Sequence, residues 1–179
     1  QPGMLGLRFS FSQPLLQPLL TEGRVDWVWG EAEKAGVRIY VLVKSENLPL
    51  IDTVAVRHPG LKLVIDHLAL PSGKKDEEAF RNLDRVLALA GRPNIAVKVS
   101  SMPSYSSDLY PHRNLHPYLR RVYDAFGPQR MFWGSDLSRL AGTYRQCVTM
   151  FTEEMPWLST DDLTWIMGRG VCEWLGWKM

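Results

Sequence analysis

The chain has 179 residues, of which 45% are hydrophobic and 22% are charged, and its formal net charge is +2. This composition is typical of a globular protein, and the length predicts a single domain over residues 1–179. The basic residues are scattered and no apolar run approaches the roughly 18 residues of a membrane span, so we expect neither a nucleic-acid partner nor a membrane partner. Cys147 and Cys172 show no motif spacing, which favours a reducing, cytoplasmic location.

Five short runs rich in β-branched and aromatic residues predict strands. Most of them are nearly continuous apolar segments, which is typical of strands buried on both faces of a parallel sheet. In chain order the predicted strands are Leu5–Phe11, Val37–Val43, Leu61–Asp66, Ile95–Ser100 and Met131–Trp133.

Helical patterns separate these strands. In Glu77–Ala90 the apolar residues recur at helical spacing, Asp76 is placed to cap the start, and Gly91 suits the end. Ser159 and Asp162 predict a capping box that opens a last helix. The other predicted helices are Arg24–Ala35, Leu48–Arg57, Asn114–Phe126 and Tyr144–Glu154.

The alternation of strands and helices predicts an α/β fold with a parallel sheet covered by helices. In such sheets ligands bind beyond the carboxyl ends of the strands. A long segment rich in Ser, Pro and Tyr, Ser101–Arg113, follows the fourth predicted strand at this end. Long loops of this kind are commonly functional, so we expect it to border a site.

Polar residues recur at these strand ends. Asp66 and His67 end the third strand, and Asp136 follows the fifth. Each has a structural alternative, since Asp136 could cap the following loop and His67 could be a hydrogen-bonded core histidine. Arg8 and Lys98 lie inside strands and need partners, because an unpaired buried charge is costly. Structural ion pairs would explain both.

Four motifs carry a resemblance to a known family. They are GLRF (6–9), LVIDH (63–67), NIAVKVSS (94–101) and GPQRMFWGSD (127–136), and together they resemble the amidohydrolase-2 family. The resemblance implies a TIM-barrel hydrolase related to lactonases and to decarboxylases of carboxylated ring compounds. A full barrel of eight strands takes about 250 residues. The five predicted strands therefore indicate a partial (β/α)₈ barrel that lacks the N-terminal strands and the His-x-His pair of the family.

The resemblance also implies a chemistry. Asp136 would be the general base that takes a proton from water attacking a lactone, ester or amide carbonyl of a small carboxylated substrate. His67 would polarise that carbonyl or, with Asp136, ligate a divalent metal, Zn or Mn. Two protein ligands are fewer than the three of a usual catalytic zinc site, so we expect weak metal binding. The predicted substrate-binding residues are Arg8, Tyr40, Lys98, His112 and Arg139.

Two alternatives to this hydrolase stay open. One is a decarboxylase reaction, which occurs in the same family. The other is an inactive fragment or a self-assembling half-barrel with no catalysis: the chain begins at Gln1 without an initiator Met, which suggests a fragment, and the absent His-x-His pair favours inactivity. A partial barrel also has two open sheet edges, which predict pairing with another chain and hence a homo-oligomer.

Overall fold

A computed structural model describes residues 5–177. It contains one five-stranded sheet in which the strands lie side by side in chain order, every neighbouring pair parallel. The predicted strands are confirmed, although the third is only three residues long. The strands are β1 (Gly6–Ser10), β2 (Arg38–Leu42), β3 (Leu63–Ile65), β4 (Ile95–Ser100) and β5 (Met131–Gly134).

Helices connect the strands and continue after the last one. The capping box of Ser159 and Asp162 is present at the start of α8, as predicted. A π-helical turn, Trp165–Arg169, joins α8 to α9. The helices are α1 (Gln17–Thr21), α2 (Asp26–Lys34), α3 (Leu48–Arg57), α4 (Asp76–Phe80), α5 (Leu83–Leu87), α6 (His116–Phe126), α7 (Tyr144–Thr152), α8 (Thr160–Thr164) and α9 (Gly170–Leu175).

The two faces of the sheet differ in chemistry. Residues that pair laterally share a face, and Ile39, Leu63 and Ile95 are such a row, each fully buried in the main core beneath the helices. The register places Arg8 beside Tyr40 and Lys98 beside Phe132 on the opposite face, which we call the inner face. Strands in chain order with the main core on one face are the arrangement found in a TIM barrel, where the other face lines the barrel interior.

The end of the chain closes the amino-terminal part of the inner face. The Trp174 ring lies edge-on to Phe132 with centroids 5.9 Å apart, and the Trp174 carbonyl accepts a hydrogen bond from Arg38 Nε at 3.1 Å. Gly170 permits the close approach of this segment to Phe132, because a Cβ there would lie 3.1 Å from Phe132 Cε1. The carboxyl end of the inner face is thus the part available to ligands.

The predicted helix Glu77–Ala90 is broken, and Asp76 does not cap it. The chain forms α4 and α5 with a turn between them at Arg81 and Asn82. Asn82 donates a hydrogen bond to Ser45 Oγ at 3.1 Å, a contact with the loop after β2 that local sequence does not encode. Asp76 Oδ1 instead accepts a hydrogen bond from the Ser107 backbone N–H at 3.0 Å, so it ties the long loop after β4 to the rest of the chain.

Two further features bear on the expectations from composition. Cys147 and Cys172 are free thiols. Within residues 5–177, no helix combines the length and the apolar character that crossing a membrane requires.

Candidate active site

Non-glycine residues with left-handed backbone follow the last three strands. Directly after β3 they are His67, Leu68 and Ala69, with φ of 51°, 53° and 50°; directly after β4 it is Ser101, with φ of 60°; and directly after β5 it is Asp136, with φ of 47°. Asp76 and His112, further from the strand ends, also have positive φ. This conformation costs an L-residue roughly 1–2 kcal/mol. Such strain persists where packing enforces it, and it concentrates at functional sites. The carboxyl rim of the sheet is therefore the first candidate for an active site.

His67 and Asp136 come together at this rim. His67 Nε2 lies 3.7 Å from Asp136 Oδ2, which is too far for a hydrogen bond. The Oδ2 atom is buried and has no hydrogen-bond partner. The Asp136 side chain also does not cap the short helical turn Leu137–Arg139, so the structural alternative for this residue is not observed. An unpartnered buried carboxylate oxygen costs free energy unless a ligand satisfies it.

The other edge of the His67 ring is held by Ser100. Its Oγ lies 2.7 Å from His67 Nδ1, and both residues are buried. Burial is the main cause that lowers the pKa of His67 below its usual value, and the nearby Lys98 ammonium lowers it further, against the opposing charges of Asp66 and Asp136. His67 is therefore neutral at neutral pH.

Gly134 makes room for this contact. A Cβ at position 134 would lie 3.1 Å from Ser100 Cβ on the neighbouring strand and 3.8 Å from Lys98 Cε. The last residue of β5 is thus a glycine for reasons of packing, because Ser100 occupies the space that a side chain at position 134 would take.

Asp66 organises the charges of the inner face. It is fully buried, and its carboxylate oxygens lie 2.5 Å from Arg8 Nε and 3.0 Å from Lys98 Nζ. Both cations are thus ion-paired, which matches the structural alternative for them. Tyr40 is part of this group: Lys98 Nζ lies 5.9 Å from its ring centroid, and burial followed by the charge of Asp66 raises the pKa of Tyr40 to about 12. The three charged groups carry one positive charge in excess.

A cavity of about 480 Å³ opens beside His67. Its walls come from the segments that follow all five strands, so it lies at the carboxyl rim. Arg139 lines it and donates a hydrogen bond to Ser72 Oγ. Besides three serines, the polar and charged residues that line the cavity are Lys44, Glu46, His67, Asn82, Tyr105 and Arg139.

The predicted residues therefore fall into three places. His67 and Arg139 line the cavity at the rim, Asp136 lies beside His67 without lining it, and Arg8, Tyr40 and Lys98 lie on the inner face around Asp66. His112 is elsewhere: its Nδ1 pairs with the Asp108 carbonyl oxygen at 2.8 Å, and it lines a separate cavity of about 500 Å³.

Sequence reasoning missed four residues of this region. Asp66 and Ser100 were placed at strand ends but given no role, and Lys44 and Tyr105 were not considered individually. Ser100 had a usable signal, because residues two apart on a strand share a face and Lys98 is its neighbour by that rule. The buried Tyr105, whose pKa burial raises, sits in a short turn after β4 that no pattern marks.

His67 and Asp136 suit a divalent metal but are a small donor set. A neutral imidazole nitrogen and a carboxylate oxygen 3.7 Å apart can both reach one ion at the usual 2.0–2.2 Å, and the unpartnered Oδ2 would gain a partner. Across the described part of the chain, no cluster of three or more His, Cys, Asp or Glu residues is arranged for a metal. These two residues would therefore supply two ligands, fewer than a usual catalytic zinc site has.

The family model described as Amidohydrolase (Amidohydro_2) matches residues 1–169. The chain belongs to the amidohydrolase family. Among curated proteins, an L-fucono-1,5-lactonase of Burkholderia ambifaria is 33% identical, covering 76% of this chain and 49% of that protein. An L-fucono-1,5-lactonase of Burkholderia multivorans is 32% identical, covering 62% of this chain and 41% of that protein. The chain thus spans about half the length of the amidohydrolase relatives it matches.

Solved structures agree on the fold. An amidohydrolase from Burkholderia multivorans with bound Zn has a TM-score of 0.80 at 21% identity, covering 96% of this chain and 64% of that one. A 2,6-dihydroxybenzoate decarboxylase has a TM-score of 0.57 at 12% identity, covering 94% of this chain and 57% of that one. Identities this low show the fold alone. This amidohydrolase chain is an α/β protein with the architecture of a partial TIM barrel.

Proposed function

We propose that the protein hydrolyses the lactone of a small carboxylated or polyhydroxylated acid, with Asp136 as general base. The observation that supports this most is the buried Asp136 Oδ2, which has no hydrogen-bond partner and lies 3.7 Å from Nε2 of His67, a residue that lines the cavity. The relatives above 30% identity are lactonases, which favours lactones among carbonyl substrates. The decarboxylase neighbours, at 12% and 15% identity, support the fold and give no preference for lyase chemistry.

In the proposed reaction, Asp136 takes a proton from a water molecule as its oxygen bonds to the lactone carbonyl carbon. The ring C–O bond then breaks, and Asp136 returns the proton to the departing alkoxide, so the product is an open hydroxy acid. A divalent metal held by His67 and Asp136 would supply Lewis-acid activation of the carbonyl and a lower pKa for bound water. In a reaction without a metal, His67 would orient the reacting groups through Nε2.

Substrate binding is assigned to the cations that face the cavity and the inner face. Arg139 lines the cavity beside His67, and its planar guanidinium suits a carboxylate. Lys44 lines the same cavity and adds a second positive charge. The excess positive charge of the Arg8, Asp66 and Lys98 group favours an acidic ligand on the inner face. His112 has no part in this proposal, because it lines the other cavity.

A pH-indicator assay of aldono-1,5-lactone hydrolysis tests the proposal, since each turnover releases acid. We expect the chain to hydrolyse the lactone above the uncatalysed rate and Asp136→Asn to lower kcat by about 10²–10⁴-fold, the usual contribution of a general base. Asp84→Asn, at an exposed carboxylate paired with Arg121, is the matched control and should keep the wild-type rate. No hydrolysis by the chain, or equal rates for Asp136→Asn and wild type, would refute the proposal.

A further inference from the structure

The Ser100 side chain is poised to act on His67. Its hydroxyl lies 2.7 Å from His67 Nδ1, and Ser100 is only 1% exposed. Ser100 ends β4 and pairs with Gly134 at the end of β5, so the sheet holds its backbone on the β5 side. The hydroxyl therefore meets the imidazole from a rigid position.

The surroundings of the ring favour one tautomer. A neutral imidazole has one N–H donor and one acceptor nitrogen, and the bond at one nitrogen decides what the other presents. Nδ1 has an oxygen at hydrogen-bond distance, whereas Nε2 and Asp136 Oδ2 are 3.7 Å apart and share no hydrogen bond. A proton on Nδ1 is thus satisfied by Ser100, whereas a proton on Nε2 would have no acceptor at hydrogen-bond distance in the His67–Asp136 pair.

We propose that Ser100 is a positioning residue that accepts a hydrogen bond from His67 Nδ1–H and so turns the Nε2 lone pair toward Asp136. The inference rests on the proposed function, and it selects between the two roles open to His67. A lone pair on Nε2 accepts a proton or binds a cation, and it cannot donate a hydrogen bond to a substrate carbonyl. Ser100 thereby makes His67 an acceptor.

Gly134 provides a second way to test the contact between Ser100 and His67. Because a Cβ at position 134 would lie 3.1 Å from Ser100 Cβ, Gly134→Ala should push Ser100 aside by a few tenths of an ångström while the side chain keeps its hydroxyl group. Gly134→Ala moves the Ser100 hydroxyl relative to His67, whereas Ser100→Ala removes the hydroxyl. Agreement between the two variants would separate positioning from a simple loss of the hydroxyl.

The direct test is ¹⁵N NMR of the imidazole side chains of the full chain, in buffer with a chelator and at a pH where histidine is neutral. The His67 signals are assigned by their loss in His67→Gln. We expect a protonated Nδ1 and an unprotonated Nε2 in the wild type, and a shift toward the Nε2–H tautomer in Ser100→Ala. Ser101→Ala is the matched control, because the neighbouring Ser101 is equally buried and bonds Ser104.

The kinetic expectation is a fall in kcat of about 10–100-fold for Ser100→Ala, with KM nearly unchanged, as is typical for outer partners of functional histidines. Gly134→Ala should lower kcat in the same direction by a smaller factor. An unchanged His67 tautomer in Ser100→Ala, or an equal shift in Ser101→Ala, overturns the assignment. If Asp136→Asn keeps the wild-type rate while Ser100→Ala still changes the tautomer, the proposed function fails and the assignment of Ser100 stands.

Discussion

Replacing Asp66 by Asn removes the one negative charge that two cations of the inner face share. The carboxylate is fully buried, and Arg8 and Lys98 approach it from β1 and β4. Asn has nearly the same shape, so the change isolates the charge. We expect the free energy of unfolding to fall by about 3 kcal/mol, at the lower end of the range for removing one partner of a buried ion pair.

The magnitude follows from the exposure of the two partners. At the 3.0 Å separation of Lys98 Nζ and Asp66 Oδ1, an effective dielectric constant of about 20 gives an attraction of roughly 5.5 kcal/mol. Desolvation of the buried carboxylate offsets several kcal/mol of this. The Arg8 side chain is 51% exposed and can turn toward water, so its loss adds at most about 1 kcal/mol. Lys98, with a side chain 27% exposed, carries most of the cost.

Urea unfolding followed by tryptophan fluorescence measures the effect. With an m-value of about 2 kcal/mol/M, the loss shifts the midpoint by about 1.5 M. Asp124→Asn breaks an exposed pair with Arg120 and should change stability by less than about 0.5 kcal/mol. Adding Lys98→Met to Asp66→Asn should restore more than half of the loss, because no partly buried cation is then left unpaired. A midpoint for Asp66→Asn within 0.3 M of wild type, on the order of experimental error, would refute this reasoning.

Three further predictions concern other parts of the chain. Asn94 Nδ2 donates to three backbone carbonyls of the segment 55–61, each at 3.1 Å, so Asn94→Ala should lower the free energy of unfolding by about 2–3 kcal/mol in the same urea assay. The pKa of Tyr40 in the folded chain is raised from 10.0 to about 12. Tyr40 therefore adds to the free energy of unfolding below pH 10, and this contribution is lost as the pH rises from 10 to about 12. Ultraviolet titration should show one phenol that ionises near pH 12, and Tyr40→Phe should remove it. Zinc, measured by calorimetry, should bind with a Kd weaker than about 1 μM, since His67 and Asp136 supply two ligands, and His67→Gln should abolish the binding.

The strands could be predicted from the sequence because a parallel sheet imposes a strong local signature. Ile95–Ser100 was predicted with the bounds that β4 has, since its residues are buried on both faces. The failure of the predicted helix Glu77–Ala90 has the opposite cause. Its apolar spacing is real, yet the break at Asn82 depends on a hydrogen bond to Ser45, far away in the sequence. Tertiary contacts of this kind override local propensity.

The candidate site was predictable in position but not in detail. Topology alone places the residues after β3 and β5 at one rim, so the sequence pointed to His67 and Asp136. It gave no sign that His67 and Asp136 adopt left-handed backbone, because that conformation is ordinarily marked by glycine. It also gave no sign that His112 bonds the Asp108 carbonyl and lines a different cavity, since that outcome depends on the path of a long loop.

The contact between Ser100 and Gly134 constrains how this protein can change over evolutionary time. A methyl group at position 134 would lie 3.1 Å from Ser100 Cβ, so Ser100 would have to give way by a few tenths of an ångström, next to the imidazole that its hydroxyl contacts. The two positions are therefore coupled, because the side chain that position 134 can hold depends on the side chain at position 100.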